Sequence, residues 1–176
     1  MPQSERAVRT QELRLEWWTP RETGSAPAGA AVVTGVFDLL HVGHVRFLEA
    51  VRERAREAGL GGLVVGVEDD QRTRAWKGPE RPVNTAEERA ELLAALRAVD
   101  AVCVVHGDPA VVDGQAYERV LLPLRPAALA YTEGDPHAEA KRRAAAELGA
   151  AAWEIPLVAG RSTTRLLTGA EADPAA

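Results

Sequence analysis

A buried strand, a glycine turn and the start of a helix follow one another within residues 32–49, and this order constrains the fold most. An apolar run ends at Gly35, and His41 and His44 flank Gly43 where a helix begins. Glycine lets the backbone approach a ligand closely, and the free N–H groups of a helix start attract anions. Histidines three residues apart share one face if the helix includes both. The segment therefore indicates a phosphate site beside two imidazoles, a setting for phosphoryl or nucleotidyl transfer.

The remainder of the chain alternates short apolar strands with helices. Strands are expected at residues 30–34, 63–67, 101–105, 127–131 and 152–155. Helices are expected after the first strand, from a capping box at Thr85, at residues 136–148, and from Ser162. This alternation predicts an α/β fold: a Rossmann-like, doubly wound parallel sheet of about five strands with helices on both faces. Ligands of such sheets bind beyond the carboxyl ends of the strands.

Composition excludes several classes of protein. The net charge of −5 disfavours nucleic acid as a partner, because binding to its backbone needs a basic face. No apolar stretch approaches the roughly 20 residues that span a bilayer, and the N-terminus lacks a signal-peptide core, so no membrane partner is expected. Cys103 is the single cysteine, which rules out an internal disulfide. A cytoplasmic enzyme is the expectation.

Three segments are expected along the chain. Residues 1–29 are interpreted as an N-terminal extension and linker, because residues 24–29 have a flexible-linker composition. Apolar and charged residues alternate at 13–17, which is compatible with a short strand. Residues 30–169 form the main domain, and residues 170–176 form a frayed tail.

Three motifs carry a family resemblance. Residues 34–44, Thr-Gly-Val-Phe-Asp-Leu-Leu-His-Val-Gly-His, resemble the HxGH signature of the nucleotidyltransferase superfamily. Residues 76–82 resemble its Lys-Gly-x-x-Arg-Pro element, and residues 160–164 resemble its Gly-x-Ser-Thr-Thr element. Heptose-1-phosphate adenylyltransferases are the most similar group, followed by glycerol-3-phosphate cytidylyltransferases. The resemblance implies an enzyme that joins a nucleoside triphosphate (NTP) to a phosphorylated small-molecule acceptor and releases pyrophosphate; it also implies a homodimer.

The resemblance assigns catalysis to His41, His44 and Lys77, which would neutralise charge on the α-phosphate during attack. Two other interpretations of the histidines are a polar helix cap and half of a zinc site. A catalytic zinc normally has three protein ligands, and no third histidine or cysteine lies nearby in sequence. No metal ligand is therefore assigned, and Mg²⁺ is expected only as the NTP complex.

The remaining site residues fall into two groups. Asp38 and Asp70 are assigned to the acceptor, although Asp38 also fits a turn that shapes its loop and Asp70 also fits a solvated loop. Ser162 is expected to cap the last helix while its neighbours hold the β- and γ-phosphates. The expected nucleotide and phosphate ligands are Gly35, Val36, Phe37, Gly43, Arg89, Gly134, Asp135, Gly160, Arg161, Ser162, Thr163 and Thr164.

One departure from the heptose enzymes concerns the acceptor. They carry a lysine shortly before the Gly-Asp pair, where this chain has Thr132 and Glu133 before Gly134 and Asp135. This change weakens the expectation of a heptose phosphate. The favoured function is adenylyl transfer from ATP to a sugar or polyol phosphate. The alternatives are cytidylyl transfer to glycerol phosphate or another small phosphorylated alcohol, and a nucleotide-binding module without turnover.

Overall fold

The computed structural model describes residues 12–19, 27–111 and 114–156. Six strands lie in these ranges: β1 (Arg14–Thr19), β2 (Ala31–Gly35), β3 (Leu63–Glu68), β4 (Ala101–His106), β5 (Ala128–Thr132) and β6 (Ala151–Ile155). Five α-helices accompany them: α1 (Val42–Glu57), α2 (Asp70–Lys77), α3 (Ala86–Ala94), α4 (Gly114–Leu121) and α5 (Ala138–Glu147). A 3-10 turn at Leu122–Leu124 follows α4.

The strands form one sheet in the order β1-β4-β3-β2-β5-β6. The five strands from β2 to β6 run parallel to one another, as predicted. Strand order reverses at β2, which pairs with β3 on one side and with β5 on the other, so the switch point lies between β2 and β5. The sixth strand, β1, lies within the segment interpreted as an extension, and it pairs with β4 in the antiparallel direction.

Helices cover both faces of the sheet, as the α/β prediction requires. On one face, α1 and α3 pack through residues such as Leu48, Val51 and Leu93 onto a core that includes Val33 and Val65. On the other face, the 3-10 turn and helices α4 and α5 pack onto a second core that contains Cys103. None of the described helices is long and apolar enough to cross a membrane.

Local signals explain which helices the sequence predicted. Thr85 and Glu88 form the expected capping box at the start of α3. Helix α2 was not predicted, because it lacks an apolar stripe; its residues read Asp-Gln-Arg-Thr-Arg-Ala-Trp-Lys. It begins at the Asp69 cap, whose carboxylate accepts the Arg72 amide at 2.8 Å. The helix expected from Ser162 and the tail at 170–176 lie outside the described residues.

Candidate active site

A cavity of about 510 Å³ opens beyond the carboxyl ends of β2 and β5, at the switch point of the sheet. Its wall includes Gly35, Val36, Phe37 and Gly43, which the sequence assigned to the nucleotide. His41, His44, Lys77, Gly134 and Asp135 also line it. The fold therefore gathers residues that are up to about a hundred positions apart in sequence into one cleft, where doubly wound sheets bind their ligands.

The two histidines stack at the start of α1. Their ring centroids lie 3.8 Å apart at an angle of 19°, and the edge of the Phe37 ring packs against His44. His41 caps the helix, because its Nδ1 accepts the Gly43 N–H at 3.1 Å. That hydrogen bond places the ring proton of neutral His41 on Nε2. The polar-cap interpretation is thus correct for His41 and is compatible with a role at the phosphate.

His44 is a neutral imidazole at physiological pH. Burial, reinforced by the neighbouring His41 ring, lowers the pKa of His44 to about 4. Its Nδ1 is buried and has no hydrogen-bond partner among the residues that the structure describes. Buried polar side-chain atoms usually have such a partner. His44 therefore brings a neutral, directional hydrogen-bonding group to the cavity.

Asp38 organises the loop that carries the Lys-Gly-x-x-Arg-Pro element. Its carboxylate is 2% exposed and accepts hydrogen bonds from Arg81 Nε at 2.5 Å and from the Val83 and Asn84 amides at 3.0–3.1 Å. Burial opposes ionisation, but these donors outweigh it and hold the pKa of Asp38 below its ordinary value. Asp38 lines the cavity, yet its oxygens are committed to this loop, which favours the loop-shaping interpretation over contact with the acceptor.

Among the described residues, three cationic side chains line the cavity together with the histidines. Lys77 ends α2, and Arg81 follows in the loop that Asp38 holds; both line the cavity. The third, Lys141 from α5, donates to Asp135 Oδ2 at 2.7 Å and to the Thr34 carbonyl oxygen at 3.4 Å. Burial opposes ionisation of Asp135, but the Lys141 ammonium outweighs it and keeps the pKa of that carboxyl lowered. The sequence reasoning missed Lys141.

Arg89 and Asp70 are not among the described residues that line the cavity, and their contacts favour a structural role for both. Arg89 is 1% exposed and donates to the carbonyl oxygens of Val36, Glu68 and Asn84 at 2.6–3.0 Å. Its remaining contact is an ion pair of 2.7 Å with Asp70. The guanidinium therefore satisfies buried and partly buried carbonyl groups and connects α3 to the ends of β2 and β3.

A second buried cluster supports the floor of the cavity and was also missed. Glu68 accepts hydrogen bonds of 2.6 Å from both Arg72 Nε and the Tyr117 hydroxyl. Arg72 also donates to the Asp108 and Val111 carbonyl oxygens and lies over the Trp76 ring. Burial raises the pKa of Glu68. The cluster joins α2 and α4 to β3, and neither of these two helices was predicted from the sequence.

Some predicted residues cannot be placed. Gly160, Arg161, Ser162, Thr163 and Thr164 lie outside the described residues, so their assignment to the β- and γ-phosphates stays a prediction. Within the described ranges, no group of three or more His, Cys, Asp or Glu side chains has an arrangement that could hold a metal ion.

Comparison with known proteins places residues 32–131 in a family described as cytidylyltransferase-like. An FAD synthase from Thermococcus kodakarensis is 45% identical over 89 residues, covering 51% of this chain and 54% of that protein. The bifunctional protein HldE from Streptomyces coelicolor is 41% identical over 140 residues, covering 77% of this chain and 27% of HldE. The chain thus spans about a quarter to about half the length of these relatives.

A solved structure shares the fold. The lipopolysaccharide core biosynthesis protein from Thermoplasma volcanium superimposes with a TM-score of 0.53 at 21% identity, over 76% of this chain and 98% of that one. At that identity the similarity shows the fold alone, and it agrees with the parallel sheet described above.

Proposed function

The chain belongs to the cytidylyltransferase-like family of nucleotidyltransferases, and we propose that it transfers a nucleotidyl group from an NTP, with ATP favoured, to a phosphorylated small molecule. The observation that carries this proposal is the stacked pair His41 and His44 at the start of α1, inside the cavity at the switch point. Helix N–H groups and imidazole donors together suit a phosphate whose charge rises during reaction.

In the proposed reaction, an oxygen of the acceptor phosphate attacks the α-phosphorus of the NTP in line. A new P–O bond forms while the bond to the β-phosphate oxygen breaks, and pyrophosphate leaves. His41, through Nε2–H, and neutral His44 hold the α-phosphate oxygens, while Lys77 and Arg81 offset negative charge. Mg²⁺ enters as the complex with the NTP, bound through phosphate oxygens.

For the acceptor, a sugar or polyol phosphate is the first candidate. Its support is the set of relatives named HldE, together with the resemblance to heptose-1-phosphate adenylyltransferases. Cytidylyl transfer to glycerol phosphate remains the alternative within the same reaction class. The cytoplasmic location and homodimeric state expected from the sequence belong to this proposal.

The apolar wall of the cavity favours a second candidate acceptor. Four aliphatic side chains line this wall: Val32, Leu121, Leu129 and Ala144. The rings of Trp76 and His137 also line the cavity, with centroids 6.5 Å apart. A flat ring system buries apolar area against such a wall, whereas sugar hydroxyls do not. One relative is an FAD synthase, so the second candidate is adenylyl transfer to a phosphorylated flavin.

Pyrophosphate release tests the proposal. The purified chain, with Mg²⁺, is assayed with each of the four NTPs against sugar-1-phosphates, glycerol phosphate and flavin mononucleotide. Release with one pair of substrates, abolished in His44→Ala, supports the proposal and identifies the acceptor. Tight NTP binding in calorimetry without release from any pair would favour the nucleotide-binding module. The absence of both NTP binding and pyrophosphate release would overturn the proposed function.

A further inference from the structure

Lysine is rare in this chain, and both of its lysines line the candidate site. Among the 21 Lys and Arg residues, only Lys77 and Lys141 are lysines. Both contribute to the cavity wall at the switch point. Everywhere else the chain uses arginine, including on the exposed part of α5, where Arg143 follows two residues after Lys141. A compact ammonium with three rotatable donors thus occurs only where the substrate phosphates are proposed to bind.

Lys141 is directed into the cleft from α5. Its side chain is 22% exposed, and its Nζ contacts lie at the carboxyl ends of both central strands: the Thr34 carbonyl in β2 and Asp135 just after β5. These two acceptors use two of the three ammonium donors. Asp135 is itself held by the His137 amide, which donates to its other carboxylate oxygen at 2.7 Å. The ammonium is therefore positioned at the switch point before any substrate binds.

This position accounts for the departure at residues 132–133. Thr132 and Glu133 stand where the similar heptose enzymes carry a lysine, and both line the cavity. A polyphosphate next to Glu133 and Asp135 would be repelled unless a cation offset them. Lys141 brings that cation to the same end of β5 from the next helix.

We propose that Lys141 binds a phosphate group of the substrates, replacing the lysine that residues 132–133 lack, and that Asp135 is its positioning residue. The inference rests on the proposed nucleotidyl transfer. On binding, the ammonium exchanges its weak contact with the Thr34 carbonyl for a phosphate oxygen and keeps Asp135. The phosphate belongs either to the NTP or to the acceptor.

Steady-state kinetics and NTP calorimetry of Lys141→Met test this inference. We expect kcat/KM to fall about 10- to 100-fold, as for the loss of one charged hydrogen bond, with partial recovery in Lys141→Arg. A raised Kd for the NTP assigns the ammonium to the triphosphate, and a raised acceptor KM alone assigns it to the acceptor phosphate. Arg143→Met is the matched control: it removes one charge from the exposed side of the same helix and should leave both constants unchanged.

A double variant separates phosphate binding from simple neutralisation of Asp135. If Lys141 served only to offset that carboxylate, Lys141→Met with Asp135→Asn would restore wild-type kinetics. If it binds phosphate, the double variant stays as impaired as Lys141→Met alone. Restoration would therefore overturn the inference.

A spectroscopic measurement gives a readout that is independent of turnover. Reductive ¹³C-methylation labels the two lysines and the terminal amine, and Lys141→Met assigns the signals. We expect the Lys141 signal to shift on addition of Mg-NTP or of the acceptor phosphate, and an unshifted signal with bound substrate overturns the inference. If the wild-type chain is active and Lys141→Met has the same kinetics, only the role of Lys141 is overturned. A chain that neither binds nor turns over any NTP overturns the proposed function as well.

Discussion

At the scale of single residues, catalysis is proposed to depend on two stacked imidazoles, of which the buried His44 is neutral. Two imidazolium rings 3.8 Å apart would repel each other, and the lowered pKa of His44 avoids this state. The pair therefore acts by hydrogen bonding, while the positive charge of the site comes from Lys77, Arg81 and Lys141.

We expect His41→Ala and His44→Ala each to lower kcat/KM by about 10²- to 10⁴-fold, because each removes a donor that faces the developing charge. Far-UV circular dichroism should stay unchanged. His106→Ala is the matched control: this residue contacts Glu16 and Asp69 at the β1–β4 edge and is not among the described cavity-lining residues. Kinetics of His41→Ala and His44→Ala equal to those of the control would contradict the mechanism.

The pKa of His44 also predicts how stability changes with pH. The unfolded chain takes up a proton at His44 below about pH 6.5, whereas the folded chain resists it until about pH 4. Stability should therefore rise between pH 4 and 6.5, by up to about 3 kcal/mol from this group. Urea unfolding across this range should show a flatter profile for His44→Asn than for the wild type. Parallel profiles would mean that His44 is not neutralised by burial.

At the scale of secondary structure elements, one arginine connects the strand ends to a helix. Arg89 lies in α3, yet its guanidinium reaches the ends of β2 and β3 and the loop before its own helix. Removing it leaves the carbonyl oxygens of Val36, Glu68 and Asn84 without this donor and leaves Asp70 without its cation. Its effect should therefore fall on folding rather than on phosphate affinity.

We expect Arg89→Met to lower the free energy of unfolding by about 2–3 kcal/mol, because the ion pair with the partly exposed Asp70 and the hydrogen bonds to three carbonyl oxygens are lost. Arg97→Met, at an exposed position after α3, should change it by no more than about 0.5 kcal/mol. Urea unfolding measures both. Calorimetry under conditions where the variant is folded should give a nearly unchanged Kd for the NTP. A large loss of NTP affinity with full stability would instead restore the phosphate-ligand role predicted from the sequence.

Elements with a strong periodic or capping signal were predictable from sequence. The five parallel strands differ from their predicted bounds by at most one residue at either end, and the capping box at Thr85 begins α3 as expected. Helix α2 has a cap at Asp69 but no periodic apolar signal, because its buried groups are the charged Arg72 and the polar Thr73. Its formation depends on contacts of Arg72 with Glu68 in β3 and Tyr117 in α4, and the local sequence pattern does not reveal these contacts.

At the scale of the whole molecule, the site residues that could be predicted from the sequence are those that lie within contiguous motifs. The stretch from Gly35 to His44 carries its own strand, turn and helix start, so its role follows from local order. Lys141 contacts Thr34 across 107 positions of sequence, and this juxtaposition exists only once β2 and β5 pair. Its rarity as one of two lysines was the only sequence signal that pointed to it.

The antiparallel strand β1 closes one edge of the sheet and should matter for the whole molecule. Leu15 packs on one core and Trp18 on the other, so the strand covers both faces beside β4. Without it, β4 would present unpaired N–H and C=O groups beside the apolar run Val102–Val105, a template for association with other chains. This edge lies away from the cavity, so the chemistry should be affected only through folding.

We therefore expect a chain that lacks residues 1–19 to unfold at lower urea concentration and to form larger species in size-exclusion chromatography with light scattering. Arg14→Ser is the matched control: it breaks only an exposed pair with Glu16, worth at most about 1 kcal/mol, and leaves the strand intact. If the truncated chain matched this control in unfolding midpoint and in mass, β1 would not be needed for the stability of the sheet. If the truncated chain is less stable but keeps its kcat per folded molecule, β1 is an integral edge strand of the sheet. The chemistry would then depend on β2 and β5 and not on β1.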